Sequence, residues 1–182
     1  MRPHVPVVMI LFAFATGCGP GTTTPTSSAP TTKKNESPPP PCHPGCFPAG
    51  TTVLTPAGLR EIQTVGKGEA VTIIAADGTA TSAAVEAVFE TCNRLLDVRT
   101  DAGTVRTTET QPLCLAAGGF VEAGRLKAGD RIWKWADGRR VETRVNEVAP
   151  VEGTAAVFNL VVGTDKVFVA GGFLARGKPP VQ

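Results

Sequence analysis

Cys46-Phe47-Pro48-Ala49-Gly50-Thr51-Thr52-Val53-Leu54-Thr55 marks the point where a proline-rich tract gives way to strand-like sequence. A thiol stands there directly after a glycine. Gly45 has no Cβ, so a strained or closely approached carbonyl is sterically inexpensive at that residue. Cys46 is a candidate nucleophile wherever its surroundings lower its pKa. Two plainer fates stand beside that reading: a small buried apolar residue, or half of a disulfide.

Downstream of this stretch, turn residues recur at short intervals. Thr55-Pro56-Ala57-Gly58 places proline and glycine for a type I turn. Asp77-Gly78 and Asp137-Gly138 are hairpin signals, and Asp101-Ala102-Gly103 reads as a slightly longer turn. Strand-like runs lie between them: 70–75, 83–89, 95–100, 104–108, 131–135, 141–148, 157–162 and 167–170. Short strands at this spacing predict an all-β domain, with 122–127 as the one candidate helical turn. Lys134 separates Trp133 from Trp135, and at most one of the two indoles is expected in the core. Gly68-Glu69-Ala70-Val71 and Gly129-Asp130-Arg131-Ile132 form the one visible internal pairing.

The frame Cys-Phe-x-x-Gly-Thr-x-Val-x-Thr from Cys46, continued by Gly58, Ile62, Val65 and Gly68-Glu69-x-Val71, resembles the start of a Hint module, the hedgehog/intein self-processing family. Thr108-Glu109-Thr110-Gln111-Pro112-Leu113 resembles that family's second motif, Thr-x-x-His-Pro-aromatic/Leu. Val157-Phe158-Asn159-Leu160-x-Val162 and Phe168-Val169 resemble its final strands. Three separated motifs in order cover almost all of the globular part. The resemblance implies an internally duplicated, horseshoe-like β fold over 46–177. It also implies attack of Cys46 on the Gly45 carbonyl, turning the Gly45–Cys46 peptide into a thioester. Cys46, Thr108 and Gln111 are the implied catalytic residues, with Thr108 and Gln111 holding the distorted amide.

Departures from the pattern narrow the chemistry. Gln111 stands where the family places a histidine. A glutamine can hydrogen-bond an amide but cannot deliver a proton near neutral pH. His4 and His43 are the only histidines, and both precede the domain. Arg176-Gly177 stands where inteins end in His-Asn, and Asp165 where related domains often carry histidine. Without that asparagine, splicing is excluded. A single-turnover self-cleavage at Gly45–Cys46 is the most the pattern implies. The alternative is a catalytically degenerate Hint domain serving as a membrane-anchored binding or structural β module.

The chain ahead of the domain has a different character. Arg2 and the apolar run 5–15 suit a secretory signal over 1–17 and are too short to span a bilayer. Small residues before Cys18 resemble a bacterial lipobox, with an ordinary signal peptide as the alternative. Residues 18–45 are rich in Thr, Ser and Pro, holding half of the 16 prolines, and read as a solvated, disordered tether. The expected product is an exported lipoprotein, held to the membrane through Cys18. Gly19, unlike the aspartate associated with inner-membrane retention, tilts the expectation towards the outer membrane. Residues 178–182 are expected to form a tail.

With Cys18 lipidated, Cys42, Cys46, Cys92 and Cys114 remain, and four thiols allow three pairings. Cys42–Cys46 is a possible disulfide that would cap the nucleophile. Cys-His-Pro-Gly-Cys has neither haem nor zinc ligand spacing, so no cofactor or metal is expected. Setting aside Arg2, Lys33, Lys34 and Glu36 leaves fifteen basic and fifteen acidic residues from Cys46 onward. This neutral domain offers no basic patch for nucleic acid. The sequence names no protein partner. No histidine lies within the domain to pair with the thiol, which excludes a cysteine peptidase acting on other chains.

Overall fold

A computed structural model of the chain describes residues 45–179. The expected signal peptide, Cys18, the tether and Cys42 lie outside the described residues. Thirteen strands are present within them: β1 (Phe47–Pro48), β2 (Thr52–Thr55), β3 (Gly58–Glu61), β4 (Ala70–Ile74), β5 (Ala80–Ala84), β6 (Ala87–Thr100), β7 (Gly103–Thr107), β8 (Pro112–Cys114), β9 (Phe120–Glu122), β10 (Arg131–Ala136), β11 (Arg139–Val161), β12 (Val167–Ala170) and β13 (Phe173–Arg176). Two 3₁₀ turns, Ile62–Thr64 and Ala123–Arg125, are the only helical pieces described. The domain is all-β, as the turn spacing predicts. None of its described helices is long and apolar enough to cross a membrane.

The sheet runs β3-β2-β12-β13-β10-β11-β6-β7, with β1 attached to β11. Its backbone is the long antiparallel ribbon of β6 and β11, which stay paired from Val145↔Thr100 to Val161↔Ala87. The ladder shifts register between Val145 and Glu147 and again between Val151 and Thr154. Bulges of this kind bend a strand and increase its twist, so one ribbon can serve both halves of a curved sheet.

Internal duplication is visible in the hydrogen bonds. Gly68 N–H donates to Val85 O and Val85 N–H to Glu69 O, both at 2.8 Å. In the second half Gly129 N–H donates to Val145 O and Val145 N–H to Asp130 O, again at 2.8 Å. The acids at the matched positions act alike. Glu69 Oε2 accepts from Gly66 N–H (2.6 Å) and Asp130 Oδ2 from Lys127 N–H (2.8 Å). Each acid thereby closes the loop that leads from a 3₁₀ turn into a strand. The Gly-Glu/Asp pairing seen in the sequence is this repeated loop.

Alternation within the strands builds one continuous core around Phe47, Ile62, Leu113, Ile132, Leu160 and Phe168, all fully buried. Phe47 meets Phe168 edge to face, with centroids 6.2 Å apart and rings at 80°. Trp133 and Trp135 both pack against the smaller cluster of Ile74, Cys114, Val169 and Leu174. The expectation of at most one core-facing indole was wrong. In a strand, positions two apart share a face, and Lys134 lies on the opposite face with Ile132, its Nζ 5.8 Å from the Phe173 ring centroid.

Candidate functional site

The site is assembled where β1 joins β11. Phe47 pairs with Phe158 and Pro48 with Val157, which brings Asn159 alongside Gly45 and Cys46. Burial of the Phe47 ring pins the start of the domain, and Gly45, Cys46 and Asn159 are buried with it. Across from them β7 ends in Thr107, followed by Thr108, Thr110 and Gln111.

Both polar ends of the Gly45–Cys46 peptide are held. Asn159 Nδ2 donates to the Gly45 carbonyl oxygen. Its orientation is fixed because Asn159 Oδ1 accepts from Leu160 N–H at 2.7 Å. On the other end, Cys46 N–H donates to Thr108 Oγ1 at 2.9 Å. The flanking groups are held too. Gly45 N–H donates to Thr110 Oγ1 (3.0 Å), while Cys46 O accepts from Thr107 Oγ1 (2.7 Å) and Thr108 N–H (3.0 Å). Thr108 is thus brought onto the Gly45–Cys46 peptide.

Gln111 does not play the part expected of it. Its Nε2 donates to Pro112 O and Arg176 O, both at 3.1 Å, and its Oε1 accepts weakly from Asn159 Nδ2 at 3.4 Å. The Cys46 nitrogen is held by Thr108 rather than by this side chain. Gln111 instead walls the site against Gly45, where a Cβ would sit 2.6 Å from Gln111 Oε1 and 2.8 Å from Gln111 Cα. Gly45 also has φ +73°, in the left-handed region that side chains disfavour. Only glycine satisfies both conditions, so the residue before the thiol is constrained by its own site.

Cys46 carries a free thiol, as do Cys92 and Cys114. Cys42, the other half of the possible Cys42–Cys46 disulfide, lies outside the described residues. Burial pushes the Cys46 thiol up to about 11, partly countered by the nearby positive charge of Lys178. The sulfur is thus protonated at neutral pH and needs a base before it can attack.

Lys178 was placed in the tail, and the structure corrects that boundary. Its N–H donates to Leu160 O at 3.0 Å, it bridges Val161 in parallel, and the residue is 5% exposed. Gly45 and Lys178 both belong to the described fold. Thr107, Thr110, Asn159 and Lys178 are site residues that sequence reasoning missed. Asn159 was in view as part of a strand motif, but nothing in its spacing shows which way its amide points. The two departures Asp165 and Arg176 pair with each other across the β12–β13 end (Nη1–Oδ1 3.4 Å), with the Arg176 guanidinium over the Phe120 ring.

No family profile matches the chain, and no curated relative matches it either. Solved structures do. A crystal structure of the Ssp DnaB mini-intein variant M86 superposes with TM-score 0.68 at 16% identity, covering 77% of this chain and 98% of the intein. The solution structure of a bacterial intein-like domain from Clostridium thermocellum gives 0.63 at 25% identity, over 72% and 98%. The chain has the Hint fold. A third match, the TvoVMA intein, gives 0.61 at 22% identity, covering 72% of this chain and 96% of that one. In each comparison nearly the whole solved structure is covered. What that fold does with Cys46 is decided by the residues described above.

Proposed function

We propose that this Hint domain performs an N–S acyl shift at Gly45–Cys46 and cleaves its own chain there, without splicing. The observation that carries the reading is the double grip on one peptide bond, Asn159 on its oxygen and Thr108 on its N–H. As Cys46 Sγ bonds to the Gly45 carbonyl carbon, negative charge gathers on the oxygen that Asn159 already donates to. A preorganised donor of this kind lowers the barrier because it is in place before the charge appears. The C–N bond then breaks, the Cys46 nitrogen takes a proton, and a thioester joins Gly45 to Sγ. Water, or an outside nucleophile, releases the Gly45 acyl group and regenerates the thiol. Cleavage on this reading frees the domain from the lipidated Cys18 tether, shedding it from an exported, membrane-anchored form.

The full chain, treated with hydroxylamine or a small thiol and weighed intact, tests this. A product beginning at Cys46 that Cys46→Ala fails to give is the expected result. A chain left whole under all conditions sinks it. One observation favours the second reading, a Hint domain kept as an anchored binding or structural module. Gln111 is fully engaged with backbone carbonyls and offers the leaving nitrogen no proton.

A further inference from the structure

Lys178 holds its amine inside the fold without a hydrogen bond. Its Nζ is buried and lacks a hydrogen-bond partner among the described residues. It stands 3.9 Å from the centroid of the Phe89 ring. Lysines near a chain end ordinarily extend their ammonium into water. Here the backbone carries the residue inward. Lys178 N–H is tied to Leu160 O, and Gly177 passes so close to the end of β11 that a Cβ on it would meet Val162 Cγ2, just beyond the strand, at 2.7 Å and Leu160 O at 3.2 Å. The Phe89 ring face favours a cation there, but a buried ammonium with no hydrogen-bond acceptor is still costly, so its placement calls for an explanation.

The surroundings point to Cys46. Phe89 pairs with Asn159 across the β6–β11 ladder, and directly opposed residues share a face. The amine therefore lies on the face from which Asn159 reaches the Gly45 carbonyl. The charges of Lys178 and Cys46 also act on each other. Burial lowers the lysine below its usual range and raises the thiol to about 11, and each charge partly offsets the other's shift. Cys46 is the titratable group whose charge reaches Lys178; Phe89 and Asn159, which share its face, do not titrate.

We infer that Lys178 is the proton carrier for Cys46. In its deprotonated form the amine takes the Sγ proton as sulfur bonds to the Gly45 carbon. The resulting ammonium gives that proton to the Cys46 nitrogen as the C–N bond breaks. One proton leaves sulfur and arrives at nitrogen, so no other acid or base is needed. This supplies, from the far end of the fold, the transfer that Gln111 cannot perform. The assignment rests on the acyl-shift reading above.

The test uses the full chain in four forms: wild type, Lys178→Met, Lys178→Arg and Cys46→Ala. Titration of the Cys46 ¹³Cβ and Lys178 ¹⁵Nζ resonances is run beside hydroxylamine cleavage measured against pH. Lys178→Met is expected to raise the Cys46 titration, slow cleavage about 10²-fold and abolish its rise with pH. Lys178→Arg keeps the charge but cannot give up a proton, and is expected to be equally slow. Should Lys178→Met fail to fold, the shift of the Lys178 titration in Cys46→Ala decides the coupling. Uncoupled titrations in a chain that cleaves overturn the carrier role alone. Coupled titrations in a chain that never cleaves overturn the acyl-shift reading and the carrier role with it.

Discussion

At the scale of single residues, the site is defined by what each polar group is already bonded to. Asn159 uses Oδ1 on Leu160 N–H, which leaves Nδ2 for the Gly45 oxygen. Asn159→Asp keeps the Leu160 bond and the side chain's shape but replaces the donor with an acceptor. Cleavage is expected to slow by at least about 10²–10³-fold, the usual loss for one oxyanion donor, and the melting temperature to fall, because a buried carboxyl oxygen is set against the Gly45 oxygen. Time courses of hydroxylamine cleavage beside a thermal melt check both halves of that statement. Gly45→Ala is expected to act differently. Its Cβ has no room beside Gln111, and φ +73° is unfavourable for alanine. The chain should lose about 1–3 kcal/mol of stability, seen as a lower urea midpoint, and cleave more slowly because the carbonyl is displaced from Asn159.

Among the elements, the short β1 has influence beyond its length. Phe47 is its only large side chain, fully buried and edge to face with Phe168. Phe47→Ala is expected to cost about 3–5 kcal/mol, and to release Cys46 from the Thr107–Thr108 end of β7. The urea midpoint should fall with the slope of the transition preserved. Much of this level was legible in the sequence because turns have local chemistry. Asp137-Gly138 joins Ala136 to Arg139, with φ of 50° and 72°, the two left-handed residues a two-residue hairpin requires. Thr55 and Thr100 each donate Oγ1 to the O of a glycine three residues on, at 2.7 Å. What could not be read is how elements continue past such signals. Pro150 and Gly153 interrupt the pattern in sequence, yet both lie within β11, with the second of its register shifts between Val151 and Thr154. Two expected strands are therefore one ribbon. Lys178 was illegible for a similar reason, since a lysine among prolines reads as exposed until the pairing with β11 is known.

At the scale of the whole molecule, buried titratable groups make stability depend on pH in opposite directions. Burial raises Cys46 to about 11 and Cys114 to about 12, so the folded chain keeps protons that an unfolded cysteine releases near 9. Their contribution is complete below about pH 9 and is lost as pH climbs through the folded values. Lys178 is lowered by burial, so the folded chain gives up its proton early. Its contribution is present above the ordinary lysine range and is lost as pH falls through the depressed value. The near balance of fifteen basic and fifteen acidic residues keeps the net charge of the domain small near neutrality. Urea stability of the wild type is therefore expected to decline from pH 9 to 11. In Cys46→Ala the decline should be shallower by about 1–3 kcal/mol at pH 11. Parallel curves for wild type and Cys46→Ala across that range would show that the thiol exchanges protons with solvent as freely as in an unfolded chain. A thiol that free cannot be the sequestered nucleophile on which the acyl-shift reading depends.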